Sequence, residues 1–149
     1  EAKYVFEEGD DSSWYNRAHF TIELTRRDVA FKIYMMIATN GEELFSEYLE
    51  QSYELTKNFY HFLLEQDDFE VLTEPNANIL CFRYCPTSHS SGLNELQDKV
   101  RSELTKEGDF YIVKTVIDEK TYLRTTFMSP NTELEDLKLL VSKIRKVAG

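Results

Sequence analysis

The sequence predicts an α+β fold: a small, largely antiparallel sheet of about four strands with helices packed on one face. Three observations carry this. Apolar residues recur at steps of three and four over residues 26–66, as on a helix face. The period then changes to two in a pair of regions, 69–85 and 110–128, each of which reads as two strands joined by a turn. Helical spacing returns once between those regions and once after them, so strands and helices segregate into layers. A sheet of this kind commonly keeps its second face for docking.

Each element has its own signal. Residues 1–25 show no hydrophobic period, and "EEGDDSSWYNR" (7–17) is acidic and turn-prone. This stretch is expected to be a mobile loop and linker, with residues 5–18 the most mobile, ahead of a compact domain over 26–149. In "RRDVAFKIYMMIA", Val29, Ile33, Met36 and Ile37 share a helical face, and Asn40-Gly41 stops the helix. A longer helix runs from about Glu42 to Gln66, with Leu44, Phe45, Tyr48, Leu49, Leu55, Phe59, Phe62 and Leu63 as its stripe. Core packing explains that stripe better than a ligand box, and a surface role explains the lone His61. "FEVL" (69–72) and "NILCFRYC" (78–85) are strands around a turn holding Pro75 and Asn76. Leu93, Leu96, Val100 and Leu104 make a short helix closed by Gly108. "FYIVKTVI" (110–117) and "TYLRTTFM" (121–128) make a hairpin around Asp118-Glu119-Lys120. The last helix opens on Thr132-x-x-Glu135, a capping box, ahead of Leu134, Leu137, Leu140, Val141 and Ile144.

Size and charge bound the function. A chain of 149 residues suits one domain and can bury roughly 70% of its unfolded surface without staples. With 17 basic and 27 acidic residues the net charge is −10, which repels nucleic-acid phosphates and anionic lipid. No apolar run approaches the roughly 20 residues of a membrane helix. The chain opens on Glu1 with no signal-peptide pattern, and the expectation is a fragment, cloned as a domain or cut from a longer protein. Cys81 and Cys85 fall on one face of a strand about 13 Å apart, too far for a disulfide. They are expected to be reduced, in a cytoplasmic protein.

Little self-contained chemistry is visible. There is no Gly-rich phosphate loop, no G-x-S-x-G and no H-E-x-x-H, and His19, His61 and His89 lack metal-ligand spacing. Two residues still ask for an explanation. Tyr122, Arg124 and Thr126 share one strand face while Leu123, Thr125 and Phe127 share the other, and Arg83 interrupts a second apolar run. An arginine on a sheet face snorkels or pairs with a nearby carboxylate. Alternatively its fork grips an anionic ligand in the bidentate way. Both readings of Arg124 stand on the pattern alone.

Four segments together resemble the C-terminal part of the pyridoxal-phosphate-dependent amino-acid decarboxylases that act on glutamate, aromatic amino acids and diaminobutyrate. They are "YVF" (Tyr4–Phe6), "LTRRDVAFKIY" (Leu24–Tyr34), "NILCFRY" (Asn78–Tyr84) and "YLRTTFMSPNTELEDL" (Tyr122–Leu137). The resemblance spans nearly the whole chain. It implies the C-terminal small domain of a fold-type I enzyme, which closes over a cofactor held by its own N-terminal domain in a homodimer. It implies that Tyr4 is the catalytic tyrosine of a loop that reaches the partner subunit's active site and protonates the substrate. It implies that Arg124 contacts the carboxylate of the amino-acid substrate. Arg26, Arg27 and Lys32 also match, with helix-start scaffolding or a subunit contact as their expected role. Ser129 departs from the family's asparagine before proline. No lysine follows a histidine here, so the cofactor lysine is missing and the fragment is expected to bind no pyridoxal phosphate and no metal, and to be inactive by itself. Readings of a different class are an amino-acid-sensing α+β regulatory module and a protein-interaction domain.

Overall fold

The computed structural model describes residues 28–87 and 92–149. The expected loop of residues 1–25, with Tyr4, Arg26 and Arg27, lies outside the described residues, as does part of the loop at 88–91. The chain divides into two compact units, Glu1–Glu42 and Glu43–Gly149, and each is described by itself.

In the first unit, helix α1 spans Val29–Asn40. Asp28 caps its start, its side chain accepting from the Phe31 N–H at 3.0 Å. Gly41, at φ +75°, stops it in a conformation that a side chain disfavours, and donates to the Ile37 carbonyl at 2.8 Å. None of its residues is buried; Val29, Phe31, Ile33 and Tyr34 are among the exposed apolar side chains.

The second unit runs α2 (Glu43–Leu64), β1 (Phe69–Val71), β2 (Ile79–Tyr84), α3 (Leu93–Glu107), β3 (Val113–Ile117), β4 (Lys120–Thr126) and α4 (Leu134–Ala148). The strands form one antiparallel sheet in the order β1-β2-β4-β3. Alternation decides its faces. Leu80, Phe82 and Tyr84 of β2 and Leu123 of β4 point into the core. They meet Phe59 and Leu63 of α2, Leu96, Val100 and Leu104 of α3, and the apolar stripe of α4. Phe59 packs edge-on against Phe82 at 5.6 Å and Phe127 at 6.0 Å between ring centroids, the arrangement aromatic quadrupoles favour. The α+β architecture, with its small sheet and helices over one face, is therefore present.

Polar side chains fix the helices to the sheet. Gln97 of α3 is fully buried: it accepts from the Tyr84 N–H at 3.0 Å and donates to the Tyr84 carbonyl at 2.9 Å. Those two bonds satisfy the edge of a strand that runs under the helix. Asn94, also on α3, accepts from the Thr121 N–H and donates to the Glu119 carbonyl, both at 2.9 Å, and so clamps the β3–β4 hairpin.

Three details depart from the sequence reading. The last helix is capped one residue later than Thr132: Glu133 is the N-cap, and the Asp136 carboxylate accepts from the Glu133 N–H at 2.9 Å. β3 begins at Val113, not Phe110, because its partner β4 pairs only as far as Arg124↔Val113; Ile112 turns into the core instead. The hairpin turn is the two residues Asp118 and Glu119, at φ +48° and +61°, while Lys120 already pairs with Ile117.

Candidate active-site face

The sheet face turned from the core holds the candidate site. In its register, Glu70 of β1 stands opposite Arg83 of β2, and Cys81 of β2 stands opposite Arg124 of β4. Arg124 is in turn paired with Val113 of β3. Arg124 and Tyr122 therefore share this face, two residues apart on one strand, and Leu123 and Thr125 are buried on the other.

Arg124 is half-buried, and its Nε is buried without a hydrogen-bond partner. Among the described residues it makes no ion pair. A guanidinium that has lost water at one nitrogen and gained no carboxylate is under-satisfied, which is a costly state unless a ligand completes it. Beside it, burial pushes the Cys81 thiol up, against the opposing pull of the Arg124 charge. Cys81 and Cys85 are both free thiols.

The neighbouring row is built differently. Arg83 is only 4% exposed and Tyr122 3%, although both lie on the face away from the core. They cover one another: the Arg83 guanidinium lies 5.4 Å from the Tyr122 ring centroid. Arg83 Nη2 donates to the Asn94 side-chain oxygen at 2.9 Å, and its Nε is a second buried orphan. The Tyr122 hydroxyl reaches two strands across and donates to Glu70 Oε1 at 3.3 Å. Glu70 also lies 3.9 Å from Lys120 Nζ. Burial first, and then the Glu70 charge, push the Tyr122 hydroxyl up, so it stays protonated and donating. The sequence singles out Arg83 and Arg124; Glu70 and Asn94 escape it, because their contacts depend on strand order and on a helix terminus.

A cavity of about 590 Å³ opens elsewhere, where the N-terminal end of α4 meets the strands, among Asp109, Tyr111, Thr126, Thr132 and Asp136. It contains no basic residue. No group of three or more His, Cys, Asp or Glu able to hold a metal occurs among the described residues, and no described helix is long and apolar enough to cross a membrane. His61 is an exposed residue of α2.

The fold and this face define a small α+β domain that presents an under-satisfied arginine from a sheet. Comparison with known proteins identifies the group it comes from. The model of the pyridoxal-dependent decarboxylase conserved domain matches residues 1–85. The chain belongs to that family, the group II pyridoxal-phosphate-dependent amino-acid decarboxylases. It is 30% identical over 129 residues to an aromatic-L-amino-acid decarboxylase of Bacillus atrophaeus, covering 85% of this chain and 27% of that protein. It is 26% identical to an L-2,4-diaminobutyrate decarboxylase of Acinetobacter baumannii, covering 97% of this chain and 29% of the relative. The glutamate decarboxylase domain of a Vibrio parahaemolyticus diaminobutyrate-pyruvate transaminase and L-2,4-diaminobutyrate decarboxylase superposes with a TM-score of 0.73 at 27% identity, covering 80% of this chain and 26% of that one. A tryptophan decarboxylase of Catharanthus roseus in complex with L-tryptophan shares the fold, with a TM-score of 0.72 at 20% identity over 89% of this chain and 28% of that one. The chain thus spans under a third of the length of the relatives it matches.

Proposed function

We propose that the chain is the C-terminal small domain of a pyridoxal-phosphate-dependent amino-acid decarboxylase. In this reading it closes over an active site built on its own N-terminal domain, in a cytoplasmic homodimer. The observation that carries the reading is Arg124: a half-buried guanidinium with an orphaned Nε, on the sheet face away from the core, in a family of amino-acid decarboxylases. Its fork takes the substrate carboxylate, which completes its hydrogen bonding and fixes the bond to be broken. Tyr4, on the expected loop of residues 1–25, supplies the proton after CO₂ leaves. Closure of the domain and loop excludes water from both steps.

The cavity at the start of α4 does not fit the cofactor. The large cavity is rimmed by Asp109 and Asp136 and lacks any cation to meet a phosphate. Lys106, Lys114, Lys120, Lys138 and Lys143 are held in ion pairs with carboxylates. In this reading the chain's part in the reaction is confined to its own side chains, and the chain alone is expected to be inactive.

The test is Arg124→Lys in the complete enzyme. Lysine keeps the charge and loses the bidentate fork. The expected result is a fall in kcat/KM worth on the order of 2–4 kcal/mol, with the melting temperature nearly unchanged. A marked drop in melting temperature with normal CO₂ release would show instead that Arg124 serves the fold.

A further inference from the structure

Glu70 raises a question that the role of Arg124 does not answer. It is a carboxylate on the same sheet face as two guanidinium groups, yet it forms an ion pair with neither among the described residues. Arg83 stands directly opposite it across the β1–β2 ladder. Arg124 lies two strands and one side-chain row away, roughly 12 Å between Cα atoms by ordinary strand spacing, within the joint reach of the two side chains. Opposite charges so placed on one face normally pair.

Three contacts hold it: the Tyr122 hydroxyl donates to Oε1 at 3.3 Å, Lys120 Nζ stands 3.9 Å from the same oxygen, and the Cys85 thiol donates to Oε2 at 3.9 Å. Tyr122 in turn is covered by the Arg83 guanidinium, 5.4 Å from its ring centroid. Arg83 is itself fixed by Asn94 at 2.9 Å, and Asn94 is tied to the hairpin backbone. The cluster holds Arg83, Lys120 and Glu70, a local balance of +1, so Glu70 gains nothing by leaving it.

The geometry points to a positioning role for Arg83 and Tyr122: they hold Glu70 on the far row of the face, so that Arg124 stays open to an external carboxylate. This rests on the reading of Arg124 as a carboxylate grip. Neither residue touches the ligand. They act by removing an internal competitor, which would otherwise lower the apparent affinity in proportion to its occupancy of Arg124.

The experiment follows the Arg124 Nε–H resonance by NMR in the 149-residue chain, titrated with sodium acetate against sodium chloride at matched ionic strength. Arg124→Lys assigns the signal by deleting it. In Arg83→Met/Tyr122→Phe the cation and the hydroxyl are gone while the apolar bulk remains. Acetate is then expected to bind about tenfold more weakly, as it would if Glu70 occupied Arg124 nine-tenths of the time. Adding Glu70→Gln to that pair is expected to restore the wild-type affinity. Glu70→Gln alone is expected to leave it unchanged. If wild type shows no acetate-specific shift, the carboxylate reading of Arg124 fails and takes this one with it. If wild type responds and the double variant binds acetate equally well, only the positioning role is overturned. The positioning role falls as well if Glu70→Gln does not rescue the double variant, since a displaced strand would then explain the loss. Tighter binding in Glu70→Gln by itself would overturn it too. Melting curves confirm folding in each case.

Discussion

Arg83, Arg124 and Arg145 show how one residue type takes three roles according to what surrounds it. Arg83 is stacked and hydrogen-bonded, Arg124 stands under-satisfied beside Cys81, and Arg145 is committed to structure. Arg145 of α4 donates from Nε and Nη2 to the two oxygens of Asp68, at 2.7 and 2.6 Å, and lies over the Phe69 ring. This bidentate pair ties the last helix to the start of β1. The Arg145 hydrogen bond, ahead of the opposing burial and the Arg145 charge, holds the Asp68 carboxyl below its ordinary 3.8. A carboxyl depressed in the folded state binds its proton more readily when unfolded. Its contribution is thus fully present above the ordinary carboxylate value and is lost as pH falls through the depressed one. The pair is partly exposed, with side-chain exposures of 39% and 25%, so solvent screening limits it to about 1 kcal/mol. Asp68→Asn should melt about 3–5 °C below wild type at pH 7. The gap should narrow as pH falls through the depressed carboxyl value, where both proteins come to carry a neutral group at 68. A gap that persists undiminished in acid would show that the packing around residue 68 matters and the charge does not.

At the scale of elements, periods and stop signals are legible in the sequence and the fine register is not. Helix α1 ends at the Asn40-Gly41 pair because a glycine stop, here at φ +75°, is local chemistry that a sequence displays. The start of α4 reads one residue early, because Thr132-x-x-Glu135 and Glu133-x-x-Asp136 offer rival boxes one step apart. The second is the one that forms, the Asp136 carboxylate accepting from the Glu133 N–H, even though glutamate is an uncommon N-cap. Asp136→Ala removes the acceptor for the Glu133 N–H and a negative charge from the first turn, and should cost about 1 kcal/mol. Thr132→Ala should stay within about 0.5 kcal/mol, as a surface change does. Chemical denaturation of the two variants separates the boxes; a larger loss for Thr132→Ala would move the cap back to Thr132. The order β1-β2-β4-β3 is invisible in the sequence for a different reason. Alternation assigns each side chain to a face but says nothing about which strands are neighbours. The Tyr122–Glu70 bond spans that unknown order, so nothing in the sequence marks Glu70.

For the whole molecule, the decisive property is how its charge is distributed against what the family's cofactor requires. The chain carries −10, which disfavours an incoming phosphate at every distance where the field is unscreened. Specific capture needs a local cradle to overcome that field and a lysine poised in it. Among the described residues, the lysines in ion pairs stand on outer surfaces, Lys57 lies 4.6 Å from the Tyr53 ring centroid, and Lys99 donates to the Ala148 carbonyl at 3.1 Å. An amine already engaged with a carboxylate or a carbonyl is not poised to attack an aldehyde. The 149-residue chain mixed with one equivalent of pyridoxal 5′-phosphate is therefore expected to gain no distinct visible absorbance band. Borohydride trapping and peptide mass spectrometry should find low, scattered labelling across exposed lysines. One lysine labelled near stoichiometrically would overturn this, because it would mean that the chain builds a cofactor site of its own and does not depend on a second domain for it.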